Sequence, residues 1–515
     1  MKFTDYFAYQ VRMRPQDPCM TDDSRELTYL DADRDSTALA AALGDLPPQS
    51  RVAVVADNSV DFLLLDLATT KANLVLVPLN TRLNPAEWAQ LIDHAEARIV
   101  FVGENYCAAM ETVRTRLEHV GSWVALGAVD RPGWTAAARL TPGAARPDRA
   151  GCGDDHDIDV QLYTSGTTGQ PKGVLHSHDS MTMSISQWAQ MVEPWDGLRN
   201  GRSLVVAPLF HGAALIMWRT TACWGGHVQT QPRFDVDAVL DAAVRHPISW
   251  TFLVPSMIHA CLERIPRREP ADYRFNLIMY GGSPIAEVIL RGALGDLGRH
   301  FLQIYGMTES LLTTTLTPAD HVRALDGHPE LLLAAGRPVA GVGLVIHPSD
   351  GAPAARTVGE LVVTCPNPMI GYSKNDEATA AILHDGGLHT GDAGFIDADG
   401  YLHLCGRIKD MIVTGGENVY STEVEDVLHA HPAVADVAVI GTPDPKWGEV
   451  VTAILVARPG ATIDVADVVS FCRDRIARYK VPKRIEIADR LPRNSMGKLL
   501  KHQVRERYCT PVALS

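Results

Sequence analysis

The chain has 515 residues, 46% of them hydrophobic and 21% charged, with a net charge of −14. That length exceeds one hydrophobic core and predicts at least two domains, while the acidic balance, without a dense Lys/Arg run, argues against nucleic acid as a partner. Nine cysteines, an odd number with no CxxC pair, read as free thiols of a reducing, cytoplasmic compartment and not as a disulfide or zinc frame.

In chain order, the N-terminus carries Lys2, Asp5, Arg12 and Arg14 and so lacks the apolar core of a signal peptide. The most apolar stretch, 60–79, is broken by Asp61, Asp66 and Lys71, so no transmembrane segment is expected. Over 51–126, strand-like RVAVVA, LVLVPL and RIVFVG alternate with helical patterns at Val60–Thr70 and Pro85–Ala97. Such alternation predicts a mostly parallel sheet with helices on its faces. Residues 127–155, rich in Gly, Ala, Pro and Arg, read as a surface linker. A second α/β run follows to about 335. The basic cluster Arg264, Arg267 and Arg268 is interleaved with Glu263 and Glu269; it reads as a solvated face, with weak membrane-surface association as the lesser alternative. Residues 336–405 hold short alternating strands and the turn pairs Asp350-Gly351 and Asp399-Gly400, the pattern of a small β-subdomain. From 406 a compact α+β pattern follows: a helix at Thr422–His429, strands VADVAVIG and VVTAILVA, and a helix at Asp464–Arg478.

The chemistry concentrates in a few motifs. YTSGTTGQPKGV (163–174) joins glycines, hydroxyls and Lys172 in one turn. Glycines let backbone N–H groups approach phosphate, hydroxyls donate, and the lysine adds a point charge. It is not the Gly-Lys-Ser/Thr loop of common NTPases, because Pro171 precedes Lys172 and Gly173 follows it. Three further motifs also follow apolar runs: FHG (210–212), GGSP (281–284) and GMTES (306–310). Ligand sites of parallel α/β sheets gather outside the carboxyl ends of the strands, so the four together predict one crevice. HTGD (389–392) places Asp392 where a carboxylate can accept from vicinal ribose hydroxyls. GRIKDMIVTGGENVYSTEVE (406–425) joins a charged segment to a second glycine turn, and PRNSMGKLLK (492–501) holds Lys498.

This motif order resembles the adenylate-forming superfamily of acyl- and aryl-CoA synthetases, adenylation domains and luciferases, from about residue 25 to about 508. LNTRL, GGENVYS, PDPKWGE (443–449) and ARYKVPK (477–483) look most like bacterial fatty-acyl-CoA synthetases. The resemblance implies a large N-terminal domain (1–408) of α/β subdomains plus a small β-subdomain, and a small mobile α+β C-terminal domain (409–515). It implies ATP, Mg²⁺ and coenzyme A as co-substrates of a hydrophobic carboxylic acid, medium- to long-chain fatty acids first. Aryl or alicyclic acids, or loading of a carrier protein, are the alternatives. A homodimer stays open.

Residue by residue, the resemblance implies that Thr164, Ser165, Gly166, Thr167, Thr168, Gly169 and Lys172 hold the β- and γ-phosphates. Gly281, Gly282, Ser283, Tyr305 and Gly306 surround adenine, Tyr305 by stacking. Thr308 lies near the α-phosphate and Glu309 ligates Mg²⁺. Asp392 and Arg407 hold the ribose. His211 gates the passage between the ATP and acyl sites, and Lys498 reaches the substrate carboxylate and the α-phosphate. Lys409 is the hinge. The Gly415–Gly416 turn, Trp447, Tyr479, Lys483 and Arg82 meet coenzyme A. One departure stands out: before HTGD the family usually has Asp-Gly-Trp, whereas this chain has Gly387 in the tryptophan place.

Overall fold

The structure, a computed structural model, describes residues 1–127, 131–140, 153–164, 171–195, 198–267, 273–298, 300–348, 358–493 and 499–509. The valine-rich runs near the N-terminus form the parallel strands Arg51–Val55, Val75–Pro78, Ile99–Gly103 and Ser122–Leu126, all but closed to solvent. Helices cover both faces, as such a sheet requires. The helix Val60–Lys71 is capped by the Ser59 hydroxyl, and Pro85–Ala95 by an Asn84–Glu87 capping box. The second ends two residues before the sequence pattern does, because Glu96 turns left-handed (φ 54°) to feed the next strand.

This sheet extends to eight strands. Ile158–Thr164 joins it parallel to Val75–Pro78, and Lys172–Ser177 and Gly371–Tyr372 add antiparallel. At the other edge Thr135–Ala136 pairs with Ser122–Leu126, and buried Trp134 packs 5.7 Å from Trp123. The predicted linker 127–155 is therefore partly built into the fold: a buried indole outweighs a loop-like composition.

A second sheet of nine strands carries the parallel set Arg202–Val205, His227–Thr230, Trp250–Leu253, Ile278–Gly281 and Phe301–Met307, closed by antiparallel Leu311–Leu316. The helix His178–Val192 touches strands of both large sheets. Between them lies a buried ion cluster. Arg219 donates to Asp66 at 2.8 and 2.5 Å and pairs with Asp159; Trp218 donates to Asp66 at 2.9 Å, and Thr70 to Asp159 at 3.2 Å. Burial pushes the Asp66 carboxyl up; at Asp159 burial is outweighed by Arg219 and His178, and the carboxyl falls well below its ordinary range.

The β-rich segment 336–405 forms a five-stranded antiparallel sheet of Gly343–Pro348, Gly359–Thr364, Leu383–His384, Gly387–Ile396 and Leu402–Arg407. Its short flanking strands Arg337–Pro338 and Gly371–Tyr372 are lent to the two large sheets instead. After the single turn Ile408–Asp410, a last five-stranded sheet begins at Ile412–Thr414 and packs against Ser421–His429, Val465–Arg473 and Lys501–Tyr508. The helix predicted to reach Arg478 stops at Arg473. The N–H groups of Arg475 and Ile476 share the Cys472 carbonyl, and Ile476 packs onto the core of this unit. No helix among the described residues is long and apolar enough to cross a membrane.

Candidate functional site

The four early motifs leave two sheets, not one. FHG, GGSP and GMTES follow strands of the nine-stranded sheet, whereas the glycine-hydroxyl turn follows Ile158–Thr164 of the eight-stranded sheet. Thr164 and Lys172 are direct partners across antiparallel strands. Ser165, Gly166, Thr167, Thr168 and Gly169 lie outside the described residues, as does Lys498.

Lys172 sets its ammonium 4.6 Å over the Tyr372 ring. The Tyr372 hydroxyl donates to Glu309 Oε1 at 2.7 Å, and the Glu309 carbonyl accepts from Met369 N–H at 2.9 Å. Glu309 is 7% exposed. It sits with Thr308 in the turn between Phe301–Met307 and Leu311–Leu316, where Leu311 has φ +57°. That turn closes tightly: a Cβ on Gly306 would lie 1.8 Å from the Leu311 carbonyl oxygen. Likewise a Cβ on Gly281 would lie 2.3 Å from the Ile304 oxygen, so both glycines are dictated by backbone approach.

Behind the turn stands His176, fully buried. Burial pushes its pKa down to about 4, leaving a neutral ring. Its Nε2 lies 2.7 Å from the Thr308 carbonyl and its Nδ1 2.8 Å from Ser180 Oγ. The carbonyl can only accept, so Nε2 carries the proton and Ser180 donates to Nδ1. The eight-stranded sheet thereby holds the Thr308–Glu309 turn of the other sheet in place.

The small β-sheet supplies the third side. Asp392 and Arg407 are cross-strand partners, with Arg407 Nε 2.6 Å from Asp392 Oδ1. The Tyr305 hydroxyl donates to Asp392 Oδ2 at 2.7 Å, and Arg407 also donates to the Thr390 carbonyl at 3.1 Å. Burial first, and then the Asp392 charge, raise the Tyr305 phenol well above its ordinary value, so it stays a donor. The charge of Arg407 is felt at Tyr372, and Tyr305 stands in the strand that leads directly into Glu309, so the two clusters are neighbours.

His211 occupies the N-cap position of the helix Gly212–Cys223 and packs 4.5 Å from the Phe210 ring. Burial, aided by the Arg82 charge, pushes its pKa down to about 3. Among the described residues its Nε2 is buried without a hydrogen-bond partner. Gly282 (φ +82°) and Ser283 turn the chain at the end of Ile278–Gly281.

The remaining residues lie in or beside the C-terminal sheet. Gly415 and Gly416 (φ +62° and +85°) form the two-residue turn between Ile412–Thr414 and Glu417–Val419. Gly415 N–H donates to the Trp447 carbonyl at 2.8 Å, and a Cβ on Gly415 would meet the Trp447 ring at 2.7 Å. Lys483 sets its ammonium 3.9 Å over the same ring, which is 40% exposed. Tyr479 is exposed too, but no ring contact joins it to Trp447 among the described residues. Lys409 lies in the single turn between the last two sheets; burial lowers its pKa, and neighbouring Asp410 pairs with Arg505 at 2.7 Å.

The protein-family model for AMP-binding enzymes matches residues 7–373, and the model for their C-terminal domain matches 423–498. The chain belongs to the AMP-binding enzyme family. Among family members it is 36% identical to a feruloyl-CoA synthase of Amycolatopsis sp over 504 residues, 97% of each chain. It is 33% identical over 480 residues to a long-chain-fatty-acid–CoA ligase of Mycobacterium tuberculosis, 92% of this chain and 90% of that one. An amide bond synthetase of Marinactinospora thermotolerans superposes with a TM-score of 0.86 at 31% identity, covering 98% of this chain and all of its own.

Reading from sequence missed His176 and Tyr372. Each stands in a strand close to a recognised motif, but their partners, Thr308 and Glu309, are 132 and 63 residues away. The only sequence signal was an oddity: a histidine and a tyrosine at strand ends where apolar residues would serve packing as well.

Proposed function

We propose that the protein is an AMP-forming acid–CoA ligase that activates a hydrophobic carboxylic acid. The observation that carries this reading is the convergence of Lys172–Tyr372–Glu309 with Tyr305–Asp392–Arg407, drawn from all three N-terminal sheets. In the first half-reaction a carboxylate oxygen of the acid bonds to the α-phosphorus of ATP and pyrophosphate leaves. No general base is needed, because a carboxylic acid of pKa about 4 is already ionised. The difficulty is charge: one anion must approach another. Lys172 neutralises the outer phosphates and Lys498 the reacting carboxylate and α-phosphate. Asp392 accepts from the ribose hydroxyls, aligned by Tyr305 and Arg407.

Glu309 fits a magnesium ion: it is a hard oxygen ligand, buried, and only its Oε1 is engaged by Tyr372. Bound there, the ion would supply charge neutralisation at the phosphates.

In the second half-reaction the thiol sulfur of coenzyme A bonds to the acyl carbon, the acyl–phosphate C–O bond breaks, AMP leaves and the thiol proton passes to solvent. Rotation about Lys409 withdraws Lys498 and brings the Gly415–Gly416 turn to the pantetheine arm, where the absence of side chains leaves room. Trp447 and Lys483 form an aromatic and cationic platform for the nucleotide end of coenzyme A.

Fatty acids remain the first substrate class. Aryl acids are the second reading, favoured by the feruloyl-CoA synthase relative. The test is a panel of acids from short to very long chain plus hydroxycinnamic and other aromatic acids. Acid-dependent pyrophosphate exchange is read without coenzyme A and AMP release with it. Exchange with none of the acids sinks the proposal; exchange without coenzyme A-dependent turnover redirects it to another acceptor.

A further inference from the structure

The strand Gly387–Ile396 has two functional faces. Asp392 and Thr390 point toward the proposed nucleotide side, and His389 points to the other. On that other face three features meet. His389 Nδ1 lies 3.0 Å from Glu360 Oε2, while Glu360 Oε1 accepts from Gly391 N–H at 3.2 Å. In the neutral tautomer this contact sets the proton on Nδ1 and turns Nε2 into an acceptor. His389 is 11% exposed, and among the described residues its Nε2 is buried with no hydrogen-bond partner. A buried acceptor in that state calls for a donor or a cation.

The hairpin turn supplies the rest. Leu383–His384 pairs with the start of Gly387–Ile396 through a two-residue turn, Asp385-Gly386, with φ +51° and +74°. His384 is opposite Gly387, and cross-strand partners share a face, so His384, Gly387 and His389 all lie on it. Gly387 has no side chain to intervene, and the two imidazoles stack across it with centroids 3.7 Å apart. A Cβ on Gly387 would already be 2.5 Å from Val362 Cγ1, so a tryptophan there could not coexist with this arrangement. Asp385 follows His384, and one ligand atom from each of His384, Asp385 and His389 falls within 4.8 Å of the others.

We propose that His384, Asp385 and His389 form a binding site for a late first-row divalent cation of the Zn²⁺ class, with Glu360 orienting His389. Two imidazoles and one carboxylate select such a metal over Mg²⁺, which prefers oxygen alone. Ligand atoms around tetrahedral zinc stand about 3.3 Å apart; stacked rings aim their lone pairs along parallel planes, so His384, 3.1 Å from Asp385 through Nδ1, turns out of the stack as the ion binds, which its 41% exposure and the greater exposure of Asp385 permit. The Glu360–His389 pair has the carboxylate–histidine form that orients metal-bound imidazoles. The site is separate from Glu309, and it ties the hairpin to the strand that carries Asp392.

The experiment uses full-length, tag-free protein, stripped with a chelator and titrated with ZnCl₂ against a chromophoric competitor, without nucleotide. One ion is expected to bind with a Kd at or below about 1 μM. His384→Ala, a substitution at an exposed position, should weaken binding at least about tenfold, and Glu360→Gln by about tenfold. Glu309→Gln should leave it unchanged. Co²⁺-loaded protein should show visible absorption bands that His384→Ala abolishes. Failure to bind Zn²⁺ below about 100 μM, equal affinity in His384→Ala and the unaltered protein, or loss of binding in Glu309→Gln would each overturn the proposal.

Discussion

The cluster around Glu309 and Asp392 and the turn around Gly415 and Trp447 are built on opposite plans. In the first, side chains from three sheets hold one another: Tyr372 fixes Glu309, Tyr305 and Arg407 fix Asp392, and His176 fixes the Thr308 carbonyl. In the second, the functional candidates are exposed; they are held by the Gly415–Trp447 backbone hydrogen bond and by the Lys483 ammonium over the Trp447 ring, not by a buried network. A rigid surface suits chemistry in which charges must be set before reaction. An exposed one suits a surface that has to arrive and leave.

Acid should separate the two regions most. His176, His227 and His321 are pushed down to about 4, and His211 to about 3, chiefly by burial, from an ordinary value of 6.5. Their folded values are depressed, so the stability they contribute is full above 6.5 and is lost as pH falls toward 4. All four lie before residue 409, two in strands and two on helices, whereas in the C-terminal unit burial lowers His429 but pushes up Glu425 and also Asp426, to about 6, and these two work in the opposite direction. Amide exchange at pH 5 against pH 7 should open the N-terminal sheets first; equal loss in both regions would erase the contrast.

Lys498→Ala should lower acid-dependent pyrophosphate exchange by about 100-fold or more and leave thioester formation from supplied acyl-adenylate largely intact. Equal loss in both half-reactions would show that the lysine does not belong to the first alone. Lys409→Pro should stiffen the turn and slow thioester formation by about tenfold, about 1.4 kcal/mol on that barrier, with less effect on exchange; the reverse pattern would remove the hinge role. Tyr305→Phe deletes the donor to Asp392 and should raise the KM for ATP by about fivefold, read from initial rates at saturating acid. Trp447→Ala, at an exposed site, should raise the KM for coenzyme A by about threefold and leave that for ATP alone. An unchanged coenzyme A value would return the indole to surface packing.

How far these regions were legible in the sequence follows from the range of the forces that build them. RVAVVA, LVLVPL and RIVFVG announce strands because burial on both faces demands apolar runs. The glycines of GGSP, GMTES and the Gly415–Gly416 turn are visible because local backbone geometry demands them. What stayed hidden depends on distant partners. The division of the four motifs between two sheets, the loan of Gly371–Tyr372 to the eight-stranded sheet and the burial of Trp134 are settled by packing between segments far apart in sequence. The early stop at Arg473 is settled by Ile476 folding back toward the core of its own unit.

The Asp66–Asp159–Arg219 cluster has a consequence for synthesis. Asp66 and Asp159 reach the ribosome exit long before Arg219, and a carboxylate sealed from water without its counter-ion is strongly unfavourable. The nascent N-terminal half therefore cannot lock its interior until the helix Gly212–Cys223 has emerged. A pause in translation before that point would lengthen its exposure to aggregation.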